Sequence, residues 1–78
     1  MKPRGVPMSE VEIIPLFLDE LEAMRLCDVL GLEQAAAGER MLVSRGTVQR
    51  LLKSGRAKTA RAILESAALM ISEADEPS

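Results

Sequence analysis

Apolar residues recur along this chain at changing periods, and the changes divide it into segments. Residues 11–17, VEIIPLF, form a short run of apolar and β-branched positions interrupted by Pro15. Ser9 and Glu12 have the spacing of a capping box, but Pro15 would then fall inside the helix. The run therefore reads as an extended segment or edge strand. From Asp19 onward the spacing becomes helical. Ala23, Met24, Leu26, Cys27 and Leu30 share one arc, with Glu22, Arg25 and Asp28 opposite. Asp19 and Glu22 fit a capping box, and Gly31 suits the left-handed position that ends a helix. A helix is expected over 19–30.

Residues 33–41, EQAAAGERM, predict a short second helix whose alanines let a neighbour approach closely. Gly38 costs that helix about 1 kcal/mol relative to Ala, which makes sense where another helix crosses. After the apolar turn Met41, Leu42 and Val43, Ser44 is a good N-cap for a third helix over 45–65. Val48, Leu51, Leu52, Gly55, Thr59, Ala62 and Ile63 form its apolar stripe. Gln49, Arg50, Lys53 and Arg61 face the other way, with Arg45 and Arg56 on the border. Residues 67–71, AALMI, either continue this helix or form a short strand. The expected fold is all-α: a small three-helix domain over 18–71, with an extended arm over 1–17 and a disordered acidic tail over 72–78. In the arm, Pro3, Gly5 and Pro7 keep the chain extended, and Lys2 and Arg4 either touch phosphates or belong to a flexible tail.

At 78 residues, this is one domain, and a chain of that size buries only about 60% of its unfolded surface. Oligomerisation is a natural supplement, and Leu64, Leu69 and Met70 are candidates for a homodimer surface. Phe17 is the only aromatic residue, which argues against folds that stack bases on aromatic rings. There is no His and one Cys, Cys27, so zinc fingers, Cys/His nucleophiles and disulfide frameworks are excluded. No metal or cofactor is expected. Glu20 and Glu22 read as exposed or capping carboxylates with nothing to complete a catalytic site, so the chain does not read as an enzyme. No apolar run reaches membrane-spanning length, and a cytoplasmic, nucleoid-associated protein is expected.

Charge sharpens this picture. The formal net charge is −2, yet residues 40–61 hold Arg40, Arg45, Arg50, Lys53, Arg56, Lys58 and Arg61 without one Asp or Glu. A polyanion would meet that local field rather than the net charge. The stretch also fits the turn and second helix of a helix-turn-helix. Gly38 supplies the small residue where two helices cross, and Val43, Val48 and Leu51 supply the buried apolar positions. Leu42 is the departure, because that turn position commonly takes a positive φ and prefers Gly. The third helix would then offer Arg45, Gln49 and Arg50 to base edges in the major groove. Ser44, Thr47, Lys53, Arg56, Lys58 and Arg61 would hold the DNA backbone. About five phosphate contacts would give a log–log salt slope of about −4 to −5.

Four blocks carry a resemblance: KPRGVPM at 2–8, LDELEAMRLCDVLGL at 18–32, ERMLVSRGTVQRLLKSGRAK at 39–58 and ALMI at 68–71. Together they resemble a prokaryotic family of small uncharacterised proteins regarded as DNA-binding, the domain-of-unknown-function family numbered 134. Its helix-turn-helix is similar to that of sigma-70 region four, a homeodomain-like or winged-helix-like arrangement. Relatives usually begin earlier, with a basic arm. This chain has Glu33 where the family typically has Ser, and Leu42 where it has small residues. Gly55 and Ser66 replace a common Ala and Gly. The resemblance implies a regulator of transcription that binds double-stranded DNA, with RNA polymerase as a further candidate partner. The alternative is a protein-interaction module that contacts polymerase or an acidic regulator through the same basic face.

Overall fold

The computed structural model describes residues 11–73. The chain order is strand β1 (Ile13–Phe17), helix α1 (Leu18–Met24), a π-helical turn (Arg25–Val29), α2 (Gln34–Met41), α3 (Arg45–Glu65) and strand β2 (Ala68–Ser72). The molecule is mostly helical, but it is not all-α. The first and last elements pair as a two-stranded parallel sheet, with Ile13 opposite Ala68 and Phe17 opposite Ser72. Residues 67–71 therefore leave the helix, and 13–17 belong to the folded body rather than to a free arm. The rest of the expected arm, 1–10, and the tail beyond Glu73 lie outside the described residues.

Helix α3 ends because Ser66 takes a left-handed conformation, φ 54°, and the N–H of Ala67 returns to the Ala62 carbonyl. That reversal sends β2 back alongside β1. The N–H of Ala68 donates to the Glu12 carbonyl. In a parallel ladder, main-chain groups alternate in direction, so those of Ile14 and Leu16 face β2 and Pro15 falls where no N–H is needed. Ile14 and Leu16 also turn their side chains inward and are buried. The segment thus takes the two-residue alternation of a strand, in keeping with the extended segment or edge strand expected.

Ala23, Leu26, Ala37, Val48 and Leu52 form the centre of the core, with Met24, Cys27, Leu32, Met41 and Leu51 packed around it. Alanine and glycine at the crossings let the helix axes come close. At Gly38 the close neighbour is the turn instead: an added Cβ would lie 2.6 Å from the backbone carbonyl oxygen of Val43. A Cβ at Gly55 would meet Met24 and Glu20 on α1.

Several helical expectations change in detail. Helix α1 begins one residue early, at Leu18, and the Glu20 carboxylate accepts from the N–H of Phe17, 2.9 Å away. The expected Asp19–Glu22 box is not made, and Glu22 pairs with Arg25 instead. The helix closes through a π turn, in which the N–H of Leu30 donates to the Arg25 carbonyl. A π turn is wider than an α turn and shifts the phase of the side chains beyond it. Leu30, expected on the buried arc, is consequently exposed. Gly31 follows at φ 80°. On α3, Ile63 was expected in the apolar stripe but is 74% exposed, and Ala62 alone fills that turn.

Candidate nucleic-acid interface

The segment from Gly38 to Lys53 is shaped by its turn. Leu42 has φ 63° and ψ 40°, so the left-handed geometry is present on a leucine. Its side chain is 90% exposed and gains no packing in return. Left-handed backbone costs a non-glycine residue roughly 1–2 kcal/mol. The turn is held by main chain: the N–H of Val43 donates to the Gly38 carbonyl, 2.9 Å. Val43 thus acts through its backbone, and its side chain is exposed rather than packed. Val48 is fully buried and Leu51 half-buried against the core.

Ser44 caps α3. Its Oγ accepts from the N–H of Thr47 at 3.1 Å and lies 3.0 Å from the Thr47 hydroxyl. Arg50 donates to that same hydroxyl at 3.3 Å. Two hydroxyl protons are present and one lies between the two oxygens, so the other remains free for an outside acceptor. Arg45, Gln49, Arg50 and Lys53 are exposed along the first half of α3, and Arg40 is exposed at the end of α2. Among the described residues, none of these four cations has an ion-pair partner.

The second half of α3 differs. Arg56 makes a two-pronged contact with Asp28, at 2.6 and 3.1 Å. Arg61 pairs with Glu12 and, at 3.2 Å, with Glu65. Lys58 lies 2.8 Å from Glu20 and 4.0 Å from the centre of the Phe17 ring. Three of the six residues expected to hold the DNA backbone are therefore engaged by acids. Those acids come mostly from the sequence before residue 40, which packs across α3.

Glu20 is the centre of this contact and a clear departure from the exposed carboxylate expected. It is 4% exposed and accepts from the Phe17 N–H, the Ser54 hydroxyl and the Lys58 ammonium. Burial alone would push its carboxyl up. The hydrogen bonds from Lys58, Ser54 and Phe17 outweigh burial and hold it below the ordinary carboxylate value. At Asp28, the hydrogen bond from Arg56 has the same downward effect. The only sequence signal for this cluster was local: Ser54 and Lys58 stand four apart and share one face of α3. Among the described residues, no group of His, Cys, Asp or Glu could hold a metal, and no helix is long and apolar enough to cross a membrane.

Comparison with known proteins gives the same family as the resemblance. The model of a family described as "Protein of unknown function DUF134" matches residues 1–76. A UPF0251 protein of Dehalococcoides mccartyi is 51% identical over 70 residues, covering 90% of this chain and 60% of the relative. UPF0251 proteins of Rhodospirillum rubrum and Methanosarcina acetivorans are each 46% identical over 70 residues. These matches cover 90% of this chain in both cases, and 49% and 62% of the respective relatives. The chain thus spans between about half and three-fifths of the length of these relatives. No solved structure matches it. With a family model matched from residue 1 to 76, and half of 70 aligned positions shared with a bacterial relative, the chain belongs to the DUF134 family.

Proposed function

We propose that α2, its turn and α3 act as a helix-turn-helix that binds double-stranded DNA, with the first half of α3 in the major groove, and that the protein regulates transcription. The observation that carries this reading is the contrast along α3. Cations in its second half are neutralised by acids from the same chain, while Arg45, Arg50 and Lys53 stand exposed without such partners among the described residues. Unpaired charge concentrated beside a capped helix start is an arrangement that a phosphate backbone completes.

In this arrangement, Arg45 and Arg50 reach guanine edges and Gln49 reaches adenine. The Ser44–Thr47 pair donates its spare proton to a phosphate oxygen, and Lys53 and Arg40 supply charge on either side. Arg56, Lys58 and Arg61 remain in their internal ion pairs. The salt dependence of affinity tests this division. With about four unpaired cations engaged per protomer, log affinity falls against log salt with a slope of about −3 to −4. Recruitment of all seven basic residues of the stretch would bring the slope to about −6. Fluorescence anisotropy of labelled genomic fragments across a salt series reads the slope directly. A slope near zero overturns the reading, as does recovery of RNA polymerase on the immobilised protein with no DNA binding at low salt.

A further inference from the structure

We infer that β2 is a dimerisation strand, which pairs antiparallel with β2 of a second copy across a two-fold axis at Met70. This inference stands independently of DNA binding. Three observations carry it.

The first is the outer edge of β2. The sheet has two strands, and among the described residues nothing pairs with that edge. Soluble monomers blunt open edges with Lys, Pro, bulges or inward charge. The strand Ala68–Ser72, ALMIS, contains no charged residue and no proline.

The second is direction. Because the N–H of Ala68 points to Glu12, just ahead of β1, the main-chain groups of Ala68, Met70 and Ser72 face β1. Those of Leu69 and Ile71 therefore face outward. Antiparallel pairing with a second copy, centred on Met70, sets Leu69 opposite Ile71 of the other copy and Ile71 opposite its Leu69. The outward groups of each protomer then satisfy those of the other. The neutrality of the strand means that the two-fold axis brings no like charges together.

The third is the side chains. Paired residues of a parallel sheet share a face, so Leu69 and Ile71 lie on the inner face with Ile14 and Leu16. Ile14 and Leu16 are buried, whereas Leu69 and Ile71 are 36% and 50% exposed. The sheet overhangs its helical layer at β2, and a second copy continues that inner row. Met70, 51% exposed, and Ile13, 54% exposed, lie on the outer face. Leu64 is 83% exposed but stands two residues from buried Ala62, and so turns away from the core-facing side of α3. It is not part of the contact. The exposed portions of Leu69, Met70 and Ile71 give well under half of the roughly 800 Å² that each partner of a standard interface supplies. The contact lies at the small end of specific interfaces, so the dimer is weak.

Sedimentation equilibrium of the whole chain from micromolar to millimolar concentration tests the state, and three variants test the contact and its register. Met70→Lys places two ammonium groups face to face at the axis and raises the Kd about fivefold or more. Its exposed outer position lets the monomer fold unchanged, which circular dichroism checks. In a Cys27→Ser background, Met70→Cys cross-links to itself under mild oxidation, because position 70 is a non-hydrogen-bonded pair with its own copy. Ser72→Cys on the same face does not cross-link, because residue 72 lies opposite residue 68. A wild-type chain that stays monomeric at 1 mM overturns the inference. So does a dimer in which Met70→Cys fails to cross-link or Ser72→Cys links equally well.

Discussion

Glu20 shows how a residue's role is decided by partners far away in the chain. Its neighbours in sequence made it look like a helix-start carboxylate. Its surroundings in the fold are Ser54 and Lys58, 34 and 38 positions on. A carboxylate that is 4% exposed is tolerated only because all its contacts are donors. Glu20→Gln keeps the size but leaves Lys58 without a counter-charge, and is expected to cost about 2 kcal/mol in urea unfolding at neutral pH. The pH dependence has a definite sign. The folded Glu20 carboxyl lies below its ordinary value, so its contribution is complete above the ordinary carboxylate range. That contribution is lost as the pH falls through the lowered value. Wild-type stability should therefore drop more steeply than that of Glu20→Gln as the pH falls below about 4. Parallel curves for the two proteins would remove Glu20 from this role. The Phe17 ring beneath Lys58 adds a favourable face for the cation, and Phe17 is the single aromatic residue of the chain.

At the scale of elements, the helices were legible and the turn geometry largely so. Periodicity gave 19–30, 33–41 and 45–65, against 18–29, 34–41 and 45–65 in the fold. The largest departure in phase, at Leu30, comes from a π turn that no residue type announces. Strand pairing between 13–17 and 68–72 was illegible because the partners lie some fifty residues apart, with three helices between them. Each run alone is short enough to be arm, strand or helix end. The weak turn position was legible: Leu42 stood out as wrong for a left-handed residue, and it adopts that conformation nonetheless. Leu42→Gly relieves the strain while adding chain entropy to the unfolded state, for a net gain of about 0.5–1 kcal/mol. A rise of a few degrees in Tm by circular dichroism is expected, and a fall would show that Leu42 is not strained. Gly38→Ala acts in the opposite direction. Its methyl meets the Val43 carbonyl, which belongs to the backbone of the turn and has little room to move. A loss of about 1–3 kcal/mol is expected despite the better helix propensity of alanine.

Over the whole molecule, the segregation of charge along the sequence is partly undone by folding. Acids before residue 40 and bases after it look like separate blocks, but packing α1 and the π turn across α3 brings Glu20 to Lys58 and Asp28 to Arg56. Glu12, just ahead of β1, meets Arg61. What remains unpaired is a shorter basic surface at the start of α3, narrower than the sequence suggested. The Asp28–Arg56 and Glu12–Arg61 pairs are exposed and contribute little to stability. Their effect is to confine the available charge to one end of the helix. The measurement that tests this account most directly is the affinity of wild-type and Arg50→Ala proteins for a selected genomic fragment and an unrelated one. The wild type is expected to prefer the selected fragment. Arg50→Ala should lose about 1–3 kcal/mol on that fragment and little on the other. Equal affinity of both proteins for both fragments, or no binding of either at low salt, would contradict it.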